Sequence, residues 1–312
     1  LPAALTLLKV KSSKAYNVSP QGVVEVDGFG RLMDRLGKKV INHSKLVVFL
    51  GISLILLGAY GATKVQVNED RIDTFYEQEP IHIADKIINS TMDGTNNLDI
   101  VIETPNPEDL FEPANLRKIE ALQEYVETLP TVGGSTSVAD FIKQMYKSLN
   151  NSDEAYYIIP DNKELIAQLF LLYSASGEPT DFEEEIDYDY QLANIRVNID
   201  TGLYSENKRV IDTVQVYIDE NFNEAGVIKA TLSGRVNLNY NWVGNIGESH
   251  FLSVGIALGL VLIMSALLFR SVIAGVFSLI PVMSSILIIY AVMGLFDIWL
   301  GIGTSMFASV AI

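Results

Sequence analysis

Few residues of this 312-residue chain are of the kinds that do chemistry, and their spacing organises little of it. The three histidines, His43, His82 and His250, are scattered, and no two stand at metal-ligand spacing. There is no G-x-S-x-G, no Walker A and no H-E-x-x-H. The acidic run at residues 178–190 (EPTDFEEEIDYDY) offers carboxylates to a cation, but it lacks the glycine and the spacing of a calcium loop. It reads otherwise as a solvated surface loop. Asn89-Ser-Thr and Asn150-Asn-Ser match the glycosylation pattern, which short sequences also meet by chance. No cofactor or metal site is expected, and no nucleophile argues for an enzyme.

The organisation lies instead in how charge and apolar residues are distributed. The chain carries 22 Lys and Arg against 38 Asp and Glu, a formal net charge of −16, yet it is 49% hydrophobic. Position resolves the conflict. Lys9, Lys11, Lys14, Arg31, Arg35, Lys38, Lys39 and Lys45 make the start basic against Glu25, Asp27 and Asp34. Residues 64–250 hold 13 basic and 34 acidic residues, and from 251 onward the only charges are Arg270 and Asp297.

A membrane helix needs about 20 apolar residues to cross a hydrocarbon core of about 30 Å. Residues 46–62 (LVVFLGISLILLGAYGA), 251–269 (FLSVGIALGLVLIMSALLF) and 272–296, which contains Pro281, meet that length, and residues 299–312 begin a further span. Lys38, Lys39 and Lys45 flank the first span and Arg270 marks the hairpin between the next two, so these four residues anchor the cytoplasmic side. The acidic domain then lies outside. Its lack of cysteine suits a bacterial periplasm. The expected divisions are 1–8, the tail of a preceding membrane helix; 9–45, a cytoplasmic linker; 46–63, a membrane helix; 64–249, the external domain; and 250–312, two complete membrane helices and part of a third.

Within the linker, Phe29, Leu32, Met33, Leu36 and Val40 recur at helical spacing among Arg31, Arg35, Lys38 and Lys39. That pattern is either an amphipathic helix on the anionic leaflet or a basic segment packed on protein. In the external domain, residues 98–103 read as a strand, 112–129 as a helix through Ile119, Leu122, Val126 and Leu129, and 131–138 as a short strand. Residues 192–199 alternate cleanly, 205–222 form a helix through Ile211, Val214 and Ile218, and 227–233 alternate again. An insertion at about 139–190 adds helices at 140–149 and 163–174. Two strand–helix–strand units side by side predict a ferredoxin-like split βαβ sheet with helices on one face. The predicted class is therefore an α-helical membrane protein with an external α+β domain.

The spans themselves hold no ionisable residue between 251 and 296 except Arg270, and their polar residues are Ser253, Ser265, Ser271, Ser278, Ser284, Ser285 and Tyr290. A proton-driven pump keeps its acids inside the bundle. Gly255 and Gly259 form a small-xxx-small pair that either admits a second helix or is incidental on a lipid face.

The span ending in Phe269-Arg270-Ser271, the next carrying Ile280-Pro281-Val282, and LGIGTSMFASVAI from Leu300 together resemble the RND superfamily, and within it the MMPL-type hydrophobe/amphiphile exporters. In that family the run resembling residues 303–312 continues into a glycine-rich turn with an Asp-Tyr pair, whose Asp belongs to the proton relay. That relay is expected after Ile312. LPAALTLL at residues 1–8 resembles the end of the sixth helix, which makes this chain the start of the second repeat and the acidic domain its porter domain. The resemblance implies a secondary active transporter in the inner membrane, exporting a lipid-like or hydrophobic molecule at the expense of the proton gradient. The further membrane helices of the same protein are its expected partners, with no nucleic acid and the oligomeric state open. A SecD/SecF-type translocase accessory, a sterol-type RND protein and a membrane-anchored ectoenzyme are the alternatives. Cysteine-rich external domains count against the sterol type, and missing nucleophile and metal patterns against the ectoenzyme.

Overall fold

The computed structural model describes residues 28–176, 185–222 and 228–305. The expected membrane-helix tail at 1–8, the linker up to residue 27, acidic-run positions 178–184 and residues 306–312 lie outside them.

Helix α1 (Gly28–Asn42) is separated from α2 (Ser44–Ala62) by His43 alone. An α+β domain then follows with helix α3 (Pro80–Thr91), strand β1 (Asn96–Glu103), helix α4 (Pro113–Glu127) and strand β2 (Val132–Ser137). Two helices of the insertion come next, α5 (Val138–Leu149) and α6 (Lys163–Ser176). Strand β3 (Leu192–Ile199), helix α7 (Tyr204–Asn221) and strand β4 (Lys229–Ser233) complete the domain. Helices α8 (Gly234–Phe269) and α9 (Val272–Leu295) follow, and residues 302–305 are again helical. Helix α3 was not foreseen. Its isoleucines 81, 83, 87 and 88 do not line up on one helical face, and Pro80, which supplies its first turn, reads equally as a loop residue.

The sheet order is β2-β3-β1-β4, with every neighbouring pair antiparallel. The two strand–helix–strand units thus interleave, which is the split βαβ arrangement. Alternation decides which face is buried. Leu98, Ile100 and Ile102 of β1 stand opposite Val197, Ile195 and Ala193 of β3, and all six are buried. They meet Leu116, Ile119, Leu122 and Val126 of α4 and Val210, Ile211, Val214 and Ile218 of α7. Each such aliphatic side chain contributes about 1.5–3 kcal/mol on burial. A network ties the insertion to this core. Ser137 caps α5 in a capping box with Asp140, Ser137 Oγ donates to Gln123 Oε1 at 2.6 Å, and Gln123 Nε2 donates to Asp140 Oδ2 at 2.6 Å. Burial opposes the charge on the nearby Lys143, but Glu120 at 2.9 Å and Asp140 at 3.3 Å outweigh it and leave the pKa of the ammonium raised.

Helices α2, α8 and α9 are long and apolar enough to cross a membrane. The first and third agree with the expected spans. The second does not begin at 250: α8 is one continuous helix of 36 residues, about 54 Å long at 1.5 Å per residue. The expected division at 249/250 therefore falls inside a helix. Gly234, at φ +80°, turns β4 directly into α8, and a Cβ there would lie 2.7 Å from Asp99 Oδ2. From Gly234 to Phe269 no proline interrupts it.

Helices α2 and α9 run parallel and close. A Cβ on Gly58 would lie 2.9 Å from the Leu287 Cβ, one on Gly61 would lie 2.6 Å from Ala291 Cα, and one on Gly294 only 1.9 Å from the Gly61 carbonyl oxygen. Just past both helices, Val67 and Leu300 form a parallel β-bridge. Leu300 N donates to the Gln66 carbonyl at 2.8 Å and Asn68 N to that of Leu300 at 3.3 Å. Counting back equally from the Gly58–Leu287 approach puts Lys45, in the first turn of α2, and Arg270, in the α8–α9 turn, at the same end of the bundle, with Lys38 and Lys39 just before on α1. Arg270 adopts φ 51°, and Ser271 N closes the helix end on the Ala266 carbonyl at 3.1 Å.

At Gly255 and Gly259, which the sequence leaves open between a second helix and a lipid face, the described residues make no such approach. No described atom comes within 4 Å of a Cβ at either position. The seam that forms uses Gly58 and Gly61, three apart on α2, with Gly294 on α9; spacing alone does not say which face meets a neighbour. Gly61→Ala is expected to lower stability by about 1–3 kcal/mol through overpacking, whereas Gly255→Ala leaves it unchanged or raised. Thermal melting of the purified chain in detergent measures both, and equal melting temperatures for wild type and Gly61→Ala would refute the seam.

Candidate functional site

At the level where the apolar helices end, three stretches of chain converge. The segment after α2 crosses the start of α7: Asn68 Oδ1 accepts from Ser205 N at 3.0 Å and from Glu69 N at 3.1 Å, and Tyr204 N donates to the Glu69 carbonyl at 2.9 Å. The segment after α9 joins from below through Leu300 and through Ile302 N, which donates to Glu69 Oε2 at 3.0 Å. Helix α8 passes beside all three. Its buried positions Val236, Val243, Gly247, His250 and Val254 recur at intervals of seven, four and three, one stripe from the domain core into the apolar bundle. Arg71 braces its outer side, lying over the Trp242 ring at 5.5 Å and donating to Asn239 Oδ1 at 2.8 Å.

Between α7, α8 and Val67 lies a cleft of ≈ 530 Å³ lined by Val67, Tyr204, Lys208, Tyr240, Asn241, Gly244, Asn245 and Gly247. Helical rise places Gly247 about 6 Å and Tyr240 about 16 Å above Phe251, the start of the uncharged run. The wall nearest the apolar helices is Val67 against Gly247, where a Cβ would come within 3.0 Å of Val67 Cγ2. The upper wall is aromatic and polar. The Tyr204 and Tyr240 rings stack at 6.2 Å and 19°. Lys208 Nζ sits 5.2 Å from the Tyr240 ring centroid and donates to Asp212 Oδ2 at 2.8 Å, while Tyr240 Oη donates to Asp212 Oδ1 at 3.0 Å. The Asp212 hydrogen bond raises the pKa of Lys208 and so favours its ammonium form. The cleft is thus apolar at its lower end and polar at its upper end.

A smaller cavity of ≈ 30 Å³, room for one or two water molecules, lies above it among Asp70, Arg71, Asn96, Gly202, Asn207, Arg235 and Asn239. Burial raises the pKa of Asp70, against the lowering effect of the hydrogen bond from Ile72 N. Below the cleft, His250 Nε2 and the Tyr290 hydroxyl are 2.8 Å apart, joining α8 to α9 beside Val254, Ile286 and Met293.

The residues the sequence singled out fall in several places. His82 lies 3.9 Å from Asp73, and His43 contacts the Lys39 carbonyl, so the three histidines remain apart. Among the described residues no three His, Asp or Glu side chains gather as a metal-holding group. The Asn89 side chain binds Asp85 and Thr95 N, and Asn150 Nδ2 binds the Tyr146 carbonyl. Of the acidic run, Ile186 bridges to Ala193 and Asp187 Oδ1 accepts from Gln191 N and Leu192 N, so its end is built onto β3. The cleft was not anticipated. Its sequence signal is the buried stripe of α8, which runs unbroken through residue 250, with Tyr240, Gly244 and Gly247 spaced four and three apart beside it.

No family model matches the chain, and no curated protein matches it.

Asp70 sets a pH dependence whose sign follows from its raised pKa. Folding favours the protonated form, so the contribution of the group is full below the ordinary carboxylate range and is lost as pH rises through its folded pKa. Asp70→Asn keeps an acceptor for Ile72 N and removes the buried charge. The variant is expected to melt above wild type at neutral pH, with the difference closing as pH falls below about 4. A difference that grows on acidification contradicts this sign.

Proposed function

We propose that the chain is part of a proton-driven exporter of the RND type, MMPL-like, and that its cleft admits a lipid-like or amphiphilic molecule from the outer side of a bacterial inner membrane. The observation that carries the reading is the cleft's position. It sits at the end of the apolar bundle, with an apolar lower wall and a polar, aromatic upper wall. An amphiphile entering sideways from a leaflet has its tail at Val67 and Gly247 and its head beside Tyr240, Asn241, Asn245 and the Lys208–Asp212 pair. The volume lies within the range of small-molecule sites, about 300–1,000 Å³.

Two further features support it. Lys45 and Arg270 share one end of the bundle and the acidic domain the other, which agrees with basic residues staying cytoplasmic. The split βαβ sheet, read here as a porter domain, is joined to the bundle by an unbroken helix, so displacement of one is transmitted to the other. In this reading the three apolar helices supply the frame against which the rest of the exporter moves.

The test uses the natural gene product in proteoliposomes with a photoreactive phospholipid and an imposed pH gradient. Cross-links are expected on the peptide containing Tyr240 and Asn245. Asn245→Trp, which fills the cleft from an exposed position, is expected to cut both cross-linking and gradient-driven lipid movement about tenfold, equivalent to about 1.4 kcal/mol. Val216→Trp, on exposed α7 surface outside the cleft, is expected to change neither. Undiminished cross-linking in Asn245→Trp removes the cleft from the reading; lipid movement indifferent to the gradient removes the proton coupling.

A further inference from the structure

Helix α1 presents two adjoining faces to its surroundings. At about 100° per residue, Leu32, Met33, Leu36 and Val40 fall within an arc of about 100°, and Arg31, Arg35, Lys38 and Lys39 fall within the next. The four aliphatic side chains are 43–51% exposed, and among the described residues none covers them. Asp34 is the single acid of the helix and pairs with Lys38 at 2.7 Å.

What covers this face follows from where α1 is attached. Only His43 separates it from Ser44, the first residue of a helix long and apolar enough to cross a membrane. The helix therefore ends within a residue or two of the membrane surface, at the end of the bundle that also holds Lys45 and Arg270. An apolar arc beside a basic one is the layout of a helix lying in that surface. The aliphatic side chains enter the acyl boundary, and the long Arg and Lys stems reach back to the phosphates. Neutral lipid satisfies the apolar arc alone. A cluster of Arg31, Arg35, Lys38, Lys39 and Lys45 against one acid has charge to spare for anionic headgroups.

We propose that α1 is a binding element for anionic phospholipid, seated in the leaflet at the Lys45 end of α2. The proposal requires only that α2 crosses a membrane, and it stands or falls independently of what the cleft transports.

The chain has no cysteine, so Val40→Cys accepts a single environment-sensitive fluorophore. The full chain is placed in nanodiscs of phosphatidylcholine alone and of phosphatidylcholine mixed with phosphatidylglycerol. A blue shift is expected in the mixed discs only, reversed by high salt through screening and lost when Arg31, Arg35 and Lys39 are replaced by Gln. A fluorophore that stays water-exposed in both kinds of disc overturns the proposal. So does one that is shifted equally in both and indifferent to salt and to the Gln substitutions, because α1 is then covered by protein or held by lipid without regard to charge.

Discussion

The structure turns on the backbone of one helix, α8, which runs from the α+β domain into a stretch long and apolar enough to cross a membrane. In α8 each carbonyl is paired four residues along, so the helix satisfies itself in water and in hydrocarbon alike. Nothing in it marks the transition except side chains. Above it, Val236 and Tyr240 pack on the domain core; below it, Val254 joins the cluster of Ile286, Tyr290 and Met293. One buried stripe serves both the domain core and the apolar bundle, so the two are joined without a flexible linker.

Rigidity at this junction comes from bonds that cross between elements distant in sequence. Leu300 to Gln66 and Asn68, Asn68 to Ser205, Glu69 to Tyr204 and Ile302, and His250 to Tyr290 all lie within a narrow layer at the end of the bundle next to the domain. The cleft sits in that layer because small residues leave space there. Gly244 and Gly247 keep α8 slim where Tyr204 and Val67 approach it. The polar side chains on its upper wall are held by their own partners, Lys208 and Tyr240 both by Asp212, so the cleft keeps its shape without an occupant.

Much of this was legible in the sequence because it rests on periodicity. The alternation in β1 and β3 reports a sheet with one buried face, and the stripes of α4 and α7 report what covers it. Periodicity says little in β2: VGGSTS has little apolar content and is a strand through its pairing with β3, with Gly133 and Gly134 leaving room for Asp93 beside it. Two features were hidden for a different reason. The hydropathy step at residue 250 marks a change of solvent, and a change of solvent need not be a change of element, so α8 was cut in two. The seam at Gly58, Gly61 and Gly294 was not read from the sequence, and the pair Gly255 and Gly259 states that close approach is tolerated, not that a neighbour is there. Similarly, Tyr204 and Tyr240 are unremarkable in the sequence and become a wall only when α7 folds against α8.

The distribution of tight and open packing constrains how such a unit can move. Helices α2 and α9 meet through glycines at backbone distance, and sliding one past the other forces Cα atoms through each other. Helix α8 is held to α9 at both ends, by the Gly275–Ala266 approach near the hairpin and by His250 with Tyr290 at the other. The domain is held to the same layer by Asn68 and Glu69. Hinging within the unit breaks several of these contacts together, whereas displacing it whole breaks none. Motion is therefore cheapest as a rigid body, with α8 as the lever and the open flank at Gly255 and Gly259 as a surface along which no close packing among the described residues has to be undone.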